Sequence, residues 1–367
     1  MRVLKFGGSS LASGQRFIEV ANIIKNKSQS SRLAIVVSAP QGVTNHLVAM
    51  AENISNEEKL KSDLLHFKHA IENIIQDLSA TLPSFCPQHC EQTLATWEHQ
   101  LSRYLHGATL LSFCPEHVRA RIISIGERLS VALLESVLAV DAIDVSVIEP
   151  EKFLRTNDVA MNAVADLVLC KERFQHNYSD LNAIALMPGF IGVDSLGNVT
   201  TLGRNGSDYS AAVLAVCSEA EYCEIWTDVD GVYNADPRLI KEAQLLDYLS
   251  YQEAMELSYF GASVLHPKTI GPIAQHHIPC LIKNTGNPEA PGTLIANEND
   301  QQKRVKAISN LDDLTMVNVS GPGMKGMVGM ASRVFATMSR ENISLILISQ
   351  SSSEYCISFC IYSADSD

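Results

Sequence analysis

The opening of the chain constrains the fold more than any other stretch. A short apolar run, Val3-Leu4-Lys5-Phe6, breaks into Gly7-Gly8-Ser9-Ser10, and a second apolar run follows at Leu33–Val37. Between them Phe17, Val20, Ala21 and Ile24 recur at i, i+3, i+4 and i+7, which predicts an amphipathic helix over about 14–27. Strand, helix and strand with short turns make a βαβ unit, so the chain is an α/β protein with a parallel sheet. The ligand crevice of such a sheet lies at the carboxyl ends of its strands. Gly7-Gly8 and Ser38-Ala-Pro-Gln-Gly42-Val-Thr44-Asn45 both fall at such ends.

A glycine turn between a strand and a helix suits a phosphate, because backbone N–H groups and the positive helix end face the anion. The lysine is in an unusual place for that purpose. A Walker A loop sets its lysine after the glycines, as GxxxxGK[ST], and no such string occurs in the 367 residues. Here Lys5 precedes them, on the strand itself.

Beyond this unit, about 46–120 reads as a helical excursion broken near Pro83 and Pro115. The α/β alternation then resumes: a helix from near Gly126, a strand at 145–148, a helix over 159–173, strands at 183–187 and 199–202, a helix after Ser207, a strand at 224–227, a helix from Tyr251 and a strand at 280–283. Gly286–Gly292 and the polar run 297–304 read as a linker. A small β-α-β-β unit follows, with strands at 314–319, 344–349 and 355–362 and a helix over 327–342. Without a closing helix and strand, that unit reads as a domain cut short.

A balance of 28 basic against 41 acidic residues, net −13, argues against a nucleic-acid binder and against an anionic membrane surface. An anionic ligand must then be held by a local cluster of donors. Nine scattered cysteines in a chain this large fit a reduced cytoplasm, and neither a signal peptide nor an 18-residue apolar span is present. Cys86-Pro-Gln-His89-Cys90 lacks the second ligand pair of a structural zinc site.

Four later strings carry chemistry, each beside a plainer reading. In Thr201-Leu-Gly203-Arg204-Asn-Gly206-Ser207-Asp208, Ser207 and Asp208 could simply cap a helix, but capping leaves Arg204 unexplained, and its planar fork suits a carboxylate. In Thr227-Asp228-Val-Asp230-Gly231-Val-Tyr233-Asn-Ala-Asp236-Pro-Arg238 an EF-hand fails, because glycine falls at loop position four rather than six and no glutamate stands at twelve. A turn whose Asp and Tyr meet a ribose or base and whose Arg238 meets a phosphate fits better. Glu127, in Ile123-Ser-Ile-Gly126-Glu127-Arg, could merely oppose a helix dipole. Gly321-Pro-Gly323-Met-Lys-Gly326 is a formal GxGxxG, but its second strand ends in Gln350 rather than an acid and only 41 residues follow it, so it is no dinucleotide site.

Taken in order, KFGGSS, GVTN, ISIGERLS, TLGRNGSDYSA, WTDVDGVYNADPR and ELSYFGASVLHP resemble the aspartokinases of the amino-acid kinase fold. The resemblance covers essentially the whole chain. It implies a three-layer sandwich around a mostly parallel sheet over 1–295, a linker at 296–313 and an incomplete ACT-like unit over 314–367, as in bifunctional aspartokinase/homoserine dehydrogenase polypeptides. The implied reaction is ATP plus L-aspartate to ADP and 4-phospho-L-aspartate, with Mg²⁺, at the head of the threonine, methionine and lysine routes. The alternatives are a catalytically weak amino-acid-sensing chain and another carboxylate kinase of the same fold.

Carried over residue by residue, the resemblance makes Lys5 and Asp208 catalytic, and Thr44, Glu127, Phe190, Arg204 and Ser207 the aspartate contacts. Lys5, Gly7, Gly8, Ser9, Thr227, Asp228, Tyr233 and Arg238 take the nucleotide. No metal ligand is assigned to a side chain. The nucleophilic carboxylate is already ionised at neutral pH, so no general base is needed; what the site must supply is alignment and neutralisation of phosphoryl charge. Ser263 stands where the family has a nucleotide-contacting lysine, which implies weaker ATP binding that Ser263→Lys restores. Gln350 matches the effector pocket, for which threonine is the implied ligand; the incomplete unit implies that feedback is lost. A dimer through ACT strands is the implied assembly.

Overall fold

The computed structural model describes residues 1–179, 181, 184–261, 265–297, 305–321, 324, 327–351 and 356–366. They divide into two compact units, Met1–Ile308 and Ser309–Asp367.

The first unit carries strands β1 (Arg2–Phe6), β2 (Leu33–Val37), β3 (Val145–Val147), β4 (Ile184–Pro188), β5 (Ile191–Val193), β6 (Val199–Thr201), β7 (Tyr222–Thr227), β8 (Tyr248–Ser250), β9 (Cys280–Asn284) and β10 (Thr293–Ala296). Eight of them form one sheet in the order β3-β4-β2-β1-β7-β9-β10-β8, while β5 and β6 pair separately. From β3 through β9 the neighbours are parallel. Only β10 runs antiparallel to β9, and β8 follows β10.

Alternation along β1 divides the sheet into two apolar faces. Leu4 and Phe6 join one core with α1 (Gly14–Ser28), α2 (Val43–Glu52), α3 (Glu57–Thr81), α4 (Pro87–Leu111), α5 (Glu116–Ile123) and α6 (Ile125–Val140). Val3 joins the other, with α7 (Pro150–Phe153), α8 (Leu167–Tyr178), α9 (Gly206–Cys217), α10 (Tyr251–Tyr259) and α11 (Pro267–Gln275). The chain leaves β1 toward β2 on one side and returns at β7 on the other. The carboxyl ends of β1, β2 and β7 therefore flank a switch point, where a doubly wound sheet opens its crevice.

Local signals account for most boundaries. Ser13 caps α1 by accepting from Arg16 N–H, Asn56 caps α3 from Lys59 N–H, and Pro87 opens α4 at its first position. Two readings need correction. The helix expected over 159–173 begins only at Leu167, where Asp166 accepts from Leu169 N–H. Upstream, Asn157 and Val164 pair with one another, and Ala160 and Ala163 bond Thr201 of β6, so tertiary pairing overrides the helical spacing. Gly286–Gly292, expected in a linker, is the turn between β9 and β10; the run Thr293–Ala296 alternates its burial and pairs with β9.

The second unit has β11 (Leu314–Ser320), α12 (Met330–Arg340), β12 (Leu347–Gln350) and β13 (Cys356–Tyr362), in an antiparallel sheet ordered β11-β13-β12. Met324, Ile357, Phe359 and Ile361 form its core, with Val317, Val334 and Phe335 packed against them. Of the string Gly321–Gly326, residues 322, 323, 325 and 326 lie outside the described residues.

Candidate active site

Lys5 occupies a position on β1 that alternation assigns to the apolar face beneath α9. It is 8% exposed, and its Nζ stands 2.6 Å from Asp208 Oδ1 in the first turn of that helix. A buried ammonium at this depth requires a partner, and the buried carboxylate supplies it. Asn205, with φ of 54°, turns the chain sharply into α9 and sets Ser207 and Asp208 at its positive end.

The Gly7-Gly8 turn folds directly over this pair. Gly7 N–H donates to the Trp226 carbonyl of β7, and Gln41 N–H donates to the Gly8 carbonyl. A Cβ on Gly8 would stand 2.9 Å from the Ala39 carbonyl oxygen, so only glycine lets the two strand ends approach this closely. Gly8–Leu11 then makes a single short turn, and Ser10 Oγ meets Thr285 Oγ1 at 2.7 Å, joining the ends of β1 and β9.

Glu127 enters from the other face. It is 3% exposed, in the first turn of α6, and its carboxylate faces the Ala39 N–H at the end of β2. Burial is the main force on this group and pushes its pKa up to about 7; its own N–H, Ala39 N–H, Arg128 and Lys5 pull the other way. Oε2 is buried without a hydrogen-bond partner. An acid with one oxygen orphaned in a crevice retains the capacity to bond a further donor. Gly126 permits this placement: a Cβ there would fall 2.6 Å from Ala39 Cβ and 3.0 Å from Val43 Cγ1. Since Val43 opens α2, the same contact brings the turn of Thr44 beside that of Glu127.

Phe190 adopts φ of 73°, held by its N–H bond to Ser210 Oγ and by its carbonyl, which accepts from Leu202 N–H. Its ring lies over Gly206, where a Cβ would stand 2.6 Å from Phe190 Cδ2. Arg204 is exposed on the turn leading into α9. The structure thus gathers Lys5, Gly7, Gly8, Ser9, Thr44, Glu127, Phe190, Ser207 and Asp208 around the ends of β1, β2 and β4, with Arg204 at the entrance.

The second group is looser. Thr227 ends β7 and donates to Asp228 Oδ1, with Asp228 exposed, and Tyr233 follows on the same segment, half-buried. Arg238 is 85% exposed and already pairs through its guanidinium with Asp236. Asp230 is taken by Asn284 and Asn287, which ties this segment to β9. Ser263 lies outside the described residues. Gln350 ends β12, exposed in the second unit.

Sequence reasoning passed over Lys268. Its Nζ donates to the carbonyls of Asn162, Ala163 and Leu202 and to Asn162 Oδ1 at 2.7–3.3 Å, over the Tyr209 ring. It fixes the base of the turn carrying Arg204. Neighbouring His266 caps α11, with its pKa lowered by burial and by the charges of Lys268 and Arg204. No signal in the string LHPK announces carbonyl partners so distant in sequence.

The doubly wound sheet and the buried lysine–aspartate pair at its switch point fall within the match to the amino acid kinase family model, residues 1–284, and the chain belongs to that family. An ACT domain model matches residues 317–367. More particularly, the chain is 46% identical over 365 residues to the bifunctional aspartokinase/homoserine dehydrogenase of Haemophilus influenzae, covering 98% of this chain and 44% of that protein. It is 45% identical to the enzyme of the same name from Buchnera aphidicola, covering all of this chain and 45% of the other. The chain therefore spans less than half the length of these curated relatives. Among solved structures, Escherichia coli aspartokinase III in complex with aspartate and ADP superposes with a TM-score of 0.87 at 29% identity, over 99% of this chain and 78% of the other.

Proposed function

We propose that this chain is an aspartate kinase, moving the terminal phosphoryl group of ATP to the side-chain carboxylate of L-aspartate. The observation that carries the reading is the buried Lys5–Asp208 pair set beside a Glu127 carboxylate with one orphaned oxygen. The likeness to proteins named aspartokinase, one of them solved with aspartate and ADP, supports it.

Each residue type has a task in that reaction. Glu127 Oε2 receives the substrate ammonium, Arg204 takes its α-carboxylate, and Thr44, Ser207 and Phe190 enclose the remainder. Lys5 neutralises the oxygens of the group in flight, and Asp208 holds Lys5 in line. The turn of Gly7, Gly8 and Ser9 fits a triphosphate, because its close strand approach leaves no side chain between backbone and anion. Thr227, Asp228, Tyr233 and Arg238 take the rest of the nucleotide, for which Arg238 must exchange Asp236 for phosphate. Mg²⁺ bound to the triphosphate adds charge neutralisation, and no side chain here is assigned to it. Threonine is the proposed effector of the second unit, at Gln350.

ADP release measured with aspartate, glutamate, acetylglutamate and a nucleoside monophosphate tests the reading. Aspartate should stand alone as acceptor, and Lys5→Met should reduce its rate by at least 100-fold. Release with another acceptor but not aspartate would place the chain elsewhere in the family; no release with any acceptor would favour a purely sensing role.

A further inference from the structure

A second cluster of donors lies outside the crevice, between α2 and α3. His46 Nδ1 stands 3.4 Å from Asp63 Oδ1, and the His46 and His66 rings stack with centroids 5.5 Å apart and planes 18° from parallel. One ligand atom from each of His46, Asp63 and His66 lies within 4.8 Å of the others. This is the only such trio among the described residues.

As an ordinary contact the arrangement is poor. At 3.4 Å the imidazole and carboxylate are too far apart for a good hydrogen bond. As an ion site it is coherent. With bonds of roughly 2.0–2.2 Å, tetrahedral donors stand about 3.3–3.6 Å apart, so the His46–Asp63 edge already has the required length. Asp63 and His66 share one face of α3 at i, i+3, and exposed His66 closes the third corner by rotating about its own side-chain bonds.

We propose that His46, Asp63 and His66 form a divalent transition-metal site that ties α2 to α3. Two imidazoles and one carboxylate suit Zn²⁺, Co²⁺ or Ni²⁺, with water in the open position, and not Mg²⁺, which prefers an octahedron of oxygens. His46 lies two residues beyond Thr44 on the same helix, so the ion braces the first turn of α2. This last link rests on the aspartate-kinase reading; the site itself does not.

The test uses tag-free, metal-stripped, reduced protein titrated with Co²⁺ and followed by visible ligand-field absorption, with Zn²⁺ competition and thermal unfolding in parallel. One equivalent should bind with a tetra-coordinate spectrum and raise the unfolding temperature. His46→Gln and His66→Gln should each weaken binding at least tenfold while unfolding like the parent without metal. Affinity and spectrum unchanged in both variants would assign the binding to other groups and overturn the proposal, as would no binding at submillimolar Co²⁺. Should His46→Gln perturb folding, exposed His66→Gln decides alone. Because the readout is metal binding, it is independent of whether aspartate is the substrate.

Discussion

Lys5 and Asp208 hold one another inside the protein, so changing either alone mixes folding with chemistry. Asp208→Asn should destabilise by about 3 kcal/mol, since it strands a buried ammonium. The double variant Lys5→Met/Asp208→Leu should recover most of that loss in denaturant unfolding and yet show no transfer. A double variant as unstable as Asp208→Asn would deny that the penalty arises from charge. Glu127 gives a pH signature. Its pKa is raised from 4.5 to about 7, so the folded, ligand-free protein holds a proton there that the unfolded chain has released. Its stabilising contribution is present below pH 4.5 and is lost as pH rises through about 7, a difference of roughly 3 kcal/mol. Glu127→Gln should therefore stabilise the ligand-free protein relative to the parent at pH 8 and not at pH 4.5. Aspartate binding has the opposite sign, because it needs the carboxylate: KM for aspartate should rise below pH 7 in the parent, and be at least tenfold higher and flat with pH in Glu127→Gln. At this scale the sequence was informative about residue type and silent about burial. Read alone, Glu127 was indistinguishable from a helix-dipole acid and only the resemblance made it an aspartate contact; its 3% exposure and orphaned oxygen are what the string could not show.

Among the elements, the site depends on how closely helix starts approach strand ends. Gly126→Ala places a methyl group 2.6 Å from Ala39 Cβ, which must push α6 from the end of β2. The expected cost is about 1–3 kcal/mol of stability together with a raised aspartate KM; kinetics like the parent's would show that Glu127 does not need this spacing. Lys268 acts on the opposite wall through the carbonyls of Asn162, Ala163 and Leu202. Lys268→Met should loosen the turn of Arg204 and raise the aspartate KM while leaving the nucleotide KM unchanged, a split that general destabilisation would not produce. The opening βαβ unit was legible because glycines, helical spacing and apolar runs agree locally. The region before Leu167 was not, because Ala160 and Ala163 find their partners on β6, some forty residues later. Hairpin β9–β10 hid behind turn residues that look the same in a linker.

For the whole molecule, the chain combines an amino acid kinase unit with an ACT unit, in the order that the family resemblance implied. What motif order leaves open is the use of the second unit. There, among the described residues, β12 pairs only with β13, and Leu347 and Ile348 are both 51% exposed. An edge strand with exposed apolar side chains invites pairing with another chain. Light scattering should report a dimer that Ile348→Lys weakens; a monomer in both would remove this edge from assembly. The central claim is the transfer itself. An acyl phosphate is captured by hydroxylamine, so the protein incubated with ATP, Mg²⁺, aspartate and hydroxylamine should accumulate aspartyl hydroxamate in step with ADP, and Lys5→Met should form neither. ADP without hydroxamate, or hydroxamate undiminished by Lys5→Met, would contradict the account.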